Sequence, residues 1–120
     1  MNCVFCKIIN GEIPAKILYR DNDLIVIMDA NPETNGHLLI IPIKHYTTFE
    51  DLDDEILLKI NKLAKKMKAL LTEKLNIDGL TLIVNYGIRQ MVKHYHLHLI
   101  PAYKEDYAIE DIDKIYQKLN

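Results

Sequence analysis

Residues 94–101 read HYHLHLIP, with His94, His96 and His98 at every second position of an otherwise apolar run. A period of two is the period of an extended strand, where same-face neighbours stand about 6.6–7 Å apart and successive side chains point to opposite faces. The three imidazoles are therefore predicted to share one face, with Tyr95, Leu97 and Leu99 turned the other way into a core. Crowded imidazolium ions repel, so such a row is expected to be held neutral near pH 7. The chain has only five histidines, and a half-exposed structural strand has no use for three of them on one side. Two chemistries use such a row. One is a catalytic metal held by His-x-His and a further ligand, with water in an open position. The other is phosphate chemistry, in which one histidine attacks phosphorus and its neighbours hold the charged oxygens.

The rest of the chain supplies a sheet for this strand to join. Residues 17–19 and 24–28 are apolar runs separated by Arg20-Asp21-Asn22-Asp23, the pattern of a β-hairpin. NPETNG, residues 31–36, collects turn formers and is expected to be an exposed loop. HLLIIPI, residues 37–43, is nearly continuous in apolar residues, which suits a strand covered on both faces. Pro42 within it marks either the end of that strand or an edge position. From Asp53 the period changes: Ile56, Leu57, Ile60, Leu63, Ala64, Met67, Leu70, Leu71 and Leu75 recur every three or four residues. That is one long amphipathic helix with its acids near the positive end, broken by Asn76-Ile77-Asp78-Gly79. Residues 80–85 are predicted as a fourth strand, 95–101 as the fifth and 109–119 as a short last helix. With 49% hydrophobic residues the chain suits one compact domain over residues 1–120. The predicted class is α+β: a five-stranded antiparallel sheet, one long covering helix and a short C-terminal helix.

Charge narrows the partners. Fifteen basic and 17 acidic residues give a net charge of −2, with no bias toward nucleic acid or an anionic membrane, and neither is expected as a partner. The basic run Lys65-Lys66-Met67-Lys68 falls on the long helix and is expected to be a solvated face. No stretch approaches the ~20 apolar residues of a membrane span. The opening MNCVFCKIINGEIP lacks the basic start and long apolar region of an export signal. Cys3 and Cys6 are too close together to staple a fold, so reduced thiols and a cytoplasmic location are expected.

HYHLHLIP resembles the His-φ-His-φ-His-φ-φ signature of the histidine triad (HIT) superfamily, φ being apolar. The resemblance runs over nearly the whole chain, through CVFCKIINGEIPAKILYRDN, MDANPETNGHLLIIPIKH and GLTLIVNYG in that order. It implies the HIT fold and a nucleotide hydrolase or transferase acting at an α-phosphate. By the same resemblance His96 is the nucleophile, forming a nucleotidyl-histidine that water then hydrolyses. His98 contacts a non-bridging phosphate oxygen, His94 completes the catalytic row, and His37 supports it from a neighbouring strand. Asp29 aligns with the acid that holds the ribose hydroxyls; a turn-stabilising Asp is the alternative. Phe5, Ile27 and Leu39 would form an apolar slot for the base, and Asn85 would lie near the sugar and α-phosphate.

The chain departs from the family pattern just before the triad. Many relatives read Asn-x-Gly…Gly-Gln-x-Val-x-His there; this chain has the shorter NYGIRQMVKH. Gln90, kept from that pattern, is counted with the nucleotide contacts. Arg89 replaces the second glycine, and either holds phosphate as a charged fork or points into solvent. Met91 stands where the Hint branch has a serine that helps the phosphate and leaving group.

The Cys3-x-x-Cys6 spacing lets two thiolates reach one ion. Similarity to zinc-binding HIT proteins implies that His45 and His94 complete a Cys₂His₂ site, with one structural zinc per chain and no organic cofactor. A pair of reduced thiols without metal is the alternative; a redox pair is a further one, although the βα context it needs is missing. The expected function is hydrolysis of a purine nucleotide conjugate of AMP or GMP, such as a nucleoside phosphoramidate or an adenylate, releasing the monophosphate. This is the Hint-like, bacterial HIT hydrolase branch. The segment VKHYHLHLIP is also similar to the Fhit branch, which keeps dinucleoside polyphosphates as an alternative substrate. Two further readings are a non-catalytic nucleotide-binding or interaction module and a hydrolase with zinc at the triad itself. Relatives imply a homodimer whose sheets join into one.

Overall fold

The structure is a computed structural model that describes residues 3–120; Met1 and Asn2, the start of the segment considered for an export signal, lie outside them. The elements in chain order are α1 (Val4–Ile9), β1 (Ile17–Arg20), β2 (Leu24–Met28), β3 (Leu38–Pro42), α2 (Asp54–Leu75), β4 (Gly79–Ile83), β5 (Leu97–Ala102) and α3 (Ile112–Leu119). Two short 3₁₀ turns, Phe49–Asp51 and Gly87–Arg89, interrupt the loops. The strands form one antiparallel sheet in the order β1-β2-β3-β5-β4.

Alternation along the central strands builds two apolar layers. Leu24, Val26 and Met28 of β2, Leu38 and Ile40 of β3, and Leu97 and Leu99 of β5 turn to one side. There they meet Ile60, Leu63, Ala64, Met67 and Leu71 of α2 and Ile115 and Leu119 of α3. The intervening Ile25, Ile27, Leu39 and Ile41 turn to the other side and meet Cys3, Phe5 and Ile9. Each buried aliphatic side chain contributes roughly 1.5–3 kcal/mol of transfer free energy, and these strands collect that contribution on both faces. Hence the near-continuous apolar run of β3. Pro42 is its last residue, and β3 lies inside the sheet, so the proline marks the strand's end.

The long helix is placed as its periodicity predicts. Asp54 and Glu55 occupy its first turn, and Asn76 ends it in the left-handed conformation at φ 52°, a common helix terminator. Several boundaries differ from expectation. The fifth strand begins at Leu97 rather than residue 95, because Tyr95 N–H donates to the Tyr46 carbonyl at 2.7 Å and the His94 ring is buried beside it. The fourth strand begins at Gly79 and stops at Ile83, where its pairing with β5 ends at His98, and Asn85 lies beyond it. The last helix begins at Ile112; ahead of it Asn35 bonds the Ala108 carbonyl and the Glu110 N–H. The short helix α1 has no counterpart among the elements expected from the sequence. The loop 31–36 is exposed only at its start; Asn35 and Gly36 are buried.

Gly36 has φ +89°, and a Cβ added there would lie 2.6 Å from Leu75 Cδ1 and 3.0 Å from Leu71 Cδ2. A Gly36→Ala variant is expected to lose about 1–3 kcal/mol, because the new methyl both overpacks the helix contact and strains the backbone. Denaturant unfolding of the two proteins measures the loss.

Candidate active site and metal centre

The face of the sheet opposite α2 carries a cleft of about 840 Å³. Val4, Phe5 and Ile8 of α1 form one wall, Ile27 and Leu39 its floor, and Asp29 and Asn31 its rim. Asn85, Arg89, Met91, Val92, His96 and His98 line the cleft as well. Of the residues singled out in the sequence, Phe5, Ile27, Leu39, Asp29, Asn85, Arg89, His96 and His98 thus converge on one cavity. His37, His94 and Gln90 do not line it. Gln90 is buried behind the loop, its Nε2 donating to the Thr47 carbonyl at 2.6 Å.

Hydrogen bonds assign the ring protons. His96 Nδ1–H donates to the His94 carbonyl at 2.8 Å, which leaves Nε2 as the ring's basic nitrogen. His37 Nδ1 accepts the Glu33 N–H at 3.1 Å, so its proton sits on Nε2 and is donated to His98 Nδ1 at 3.0 Å. His98 in turn carries its own proton on Nε2. One backbone amide therefore fixes the tautomers of two rings. Asp29 Oδ2 lies 3.4 Å from His37 Nε2, while Oδ1 accepts the Asn31 N–H at 2.9 Å. The turn-stabilising contact is present, and the carboxylate borders the cleft as well.

Burial keeps these imidazoles neutral. It lowers His37, His94, His96 and His98 below the ordinary value of 6.5. His37 presses His98 further down, and His45 and His96 do the same to His94. Asp29 opposes the shift at His37, as the His94 carbonyl does at His96, without cancelling it.

His94 belongs to a different cluster. Its Nδ1 lies 3.4 Å from Cys3 Sγ and 3.5 Å from Cys6 Sγ, and His45 Nδ1 lies 3.3 Å from Cys6 Sγ. The four ligand atoms all stand within 4.8 Å of one another. A tetrahedral ion with zinc bond lengths of about 2.3 Å to sulfur and 2.0–2.1 Å to nitrogen has S···N edges of about 3.5 Å, so this donor set fits zinc. His94 Nε2–H donates to the Pro42 carbonyl at 2.8 Å, which turns the unprotonated Nδ1 toward the thiols. Burial, followed by the hydrogen bond with Cys3, raises the Cys6 thiol, so a metal must displace its proton. Asp29, His37 and His98 also lie close enough to hold an ion. Their two facing ring nitrogens share a proton instead, and the rings of the triad have separate partners.

Some contributors carried no side-chain signal in the sequence. The Glu33 N–H and the Pro42 and His94 carbonyls act through the main chain. Ile112 of α3 reaches the cleft from far along the chain, and its apolar character alone marks it only as one side of an amphipathic helix.

Comparison with known proteins identifies the family and the fold. The HIT domain matches residues 10–105. An uncharacterised HIT-like protein of Methanocaldococcus jannaschii is 44% identical over 106 residues, covering 87% of this chain and 81% of that protein. An adenosine 5′-monophosphoramidase of Schizosaccharomyces pombe is 36% identical over 111 residues, covering 91% of this chain and 80% of that protein. The crystal structure of a zinc-bound histidine triad family protein from Mycobacterium smegmatis superimposes with a TM-score of 0.90 at 31% identity, covering 99% of this chain and 91% of that one.

Cobalt(II) titration is expected to give one thiolate-ligated tetrahedral ion per chain, seen in its visible absorption. Cys6→Ser is expected to weaken zinc binding on the order of 100-fold in chelator competition. The depressed imidazoles also set a pH dependence in the metal-free protein. Between their folded values and 6.5 the unfolded chain binds more protons, so stability rises with pH across that window and is complete above it. The melting temperature should therefore fall on acidification from about pH 7.5 to about pH 5.5, and fall less in His98→Gln.

Proposed function

Since the chain belongs to the histidine triad family, we propose that it is a nucleotide hydrolase that cleaves a purine nucleoside conjugate at the α-phosphate and releases the monophosphate. The observation that carries this is the bond from His96 Nδ1–H to the His94 carbonyl, which leaves a neutral, buried imidazole with its basic Nε2 beside the cleft. In this proposal the base enters the apolar slot of Phe5, Ile27 and Leu39. Asp29 accepts from the ribose hydroxyls, and the α-phosphate rests between Asn85, His96 and His98.

His96 Nε2 attacks phosphorus, and the bond to the leaving group breaks with its electron pair. The positive charge that develops on the ring is stabilised at Nδ1–H by the His94 carbonyl. His98 donates Nε2–H to a phosphate oxygen, and the bond from His37 keeps that proton on the correct nitrogen. Water then attacks the nucleotidyl-histidine, loses a proton, and restores neutral His96. The cysteine–histidine cluster fits one structural zinc, which supplies a rigid cross-link when bound and takes no part in these steps.

Two substrate classes are supported by different observations. The monophosphoramidase of Schizosaccharomyces pombe, at 36% identity, supports a phosphoramidate or adenylate. Arg89 and Met91 on the cleft wall favour a dinucleoside polyphosphate. A guanidinium suits an anionic leaving group, and a thioether cannot relay a proton to an amine. The protein is further proposed to be a cytoplasmic homodimer, supported by the exposed Leu82 on the outer strand β4. Among the described residues no helix is long and apolar enough to cross a membrane.

Release of AMP from adenosine 5′-phosphoramidate and from a diadenosine polyphosphate tests the proposal. Wild type should turn over at least one, and His96→Ala should lose on the order of 10⁴-fold or more. Arg89→Gln should depress polyphosphate cleavage about 10-fold more than phosphoramidate cleavage. AMP binding without turnover of either substrate would identify a non-catalytic module instead.

A further inference from the structure

The thiols of the metal cluster and a wall of the nucleotide cleft lie on the same short helix. Cys3 is the N-cap of α1 and accepts the Cys6 N–H at 3.4 Å, so both sulfurs sit at its first turn. The residues between and after them, Val4, Phe5 and Ile8, face the cleft. Phe5 stands edge-on to two rings at once, 5.9 Å from His94 and 4.9 Å from His96 between centroids. A helix of six residues does not persist by itself, since isolated helices shorter than about 12–15 residues are marginal in water. Its position depends on what it docks against. Phe5 and Ile9 bury themselves on the sheet, and Cys3 and Cys6 close on His45 and His94.

A second connection runs through the main chain. The ring of His94 offers Nδ1 to the cluster, and the carbonyl of the same residue holds Nδ1–H of His96. An ion bound by the four side chains would therefore fix the wall of the base slot from one side and the plane of His96 from the other. We propose that the Cys3–Cys6–His45–His94 cluster is a positioning site for the nucleotide cleft, so that a zinc-class ion and a nucleotide bind cooperatively through α1 and His94. This rests on the nucleotide assignment made above. It goes beyond a structural cross-link, which would raise stability and leave the folded protein's affinity for nucleotide unchanged.

Cooperativity of this kind is reciprocal: if the ion tightens nucleotide binding by some factor, the nucleotide tightens ion binding by the same factor. The full chain is titrated with AMP by calorimetry, zinc-loaded and zinc-free, at a temperature where circular dichroism shows both forms folded. Zinc affinity is then measured by chelator competition with and without saturating AMP. His45→Gln repeats both measurements, because it removes one ligand from the ion site while keeping both thiols of α1 and every residue that lines the cleft. The expected result is AMP binding about 10-fold tighter in the loaded form, zinc affinity raised by AMP in the same ratio, and His45→Gln binding AMP like the zinc-free protein until excess zinc restores it. Equal AMP affinity in the two folded forms, with zinc affinity indifferent to AMP, overturns the proposal and leaves the nucleotide assignment standing. Failure of AMP to bind either form overturns both.

Discussion

One buried residue, His94, makes the contacts on which the neighbouring geometry depends. Its Nε2–H is committed to the Pro42 carbonyl at the end of β3, so its Nδ1 is unprotonated and turned to two thiols. Its own carbonyl takes the Nδ1–H of His96. Without the Pro42 contact the ring would be a fully buried imidazole with an unpaired donor, at a cost of about 1–3 kcal/mol. With it, the metal cluster, the end of the central strand and the proposed nucleophile are joined through a single residue. Next to it, the Tyr95 N–H is committed to the Tyr46 carbonyl, and β5 starts only at Leu97.

Desolvation decides the protonation state of the site. Burial is the largest influence on all four lowered histidines, and Asp29, 3.4 Å from His37, opposes it there without reversing it. A neutral row allows His96 to hold a lone pair and His98 to hold a donor, two opposite roles for the same side chain. The difference between them is set by main-chain groups: the His94 carbonyl at one ring, and the Glu33 N–H acting through His37 at the other.

A shared fold does not by itself specify the reaction, and the residues that line the cleft must be read for themselves. Arg89 and Met91 are among them, Met91 being 87% exposed and Ile88 beside it 97% exposed.

Much of this architecture is legible in the residues themselves. Alternation of period two marks the histidine row and its shared face, because strand geometry is local and repeats every two residues. The change to a period of three to four marks α2, and the two-sided apolar run marks the central place of β3. The pairing of Cys3-x-x-Cys6 with His45 and His94, and the gathering of Phe5, Ile27 and Leu39, come by resemblance and meet in the folded chain. Tertiary structure alone decided the rest. It separated His94 from His96 and His98, turned Gln90 away from the cleft, formed α1, and brought Ile112 to the cleft wall. Those outcomes depend on main-chain donors and acceptors and on contacts between residues as much as 91 positions apart, as between Cys3 and His94. Every residue type except proline carries the same main-chain donor and acceptor, so no side-chain pattern can record which of them will meet.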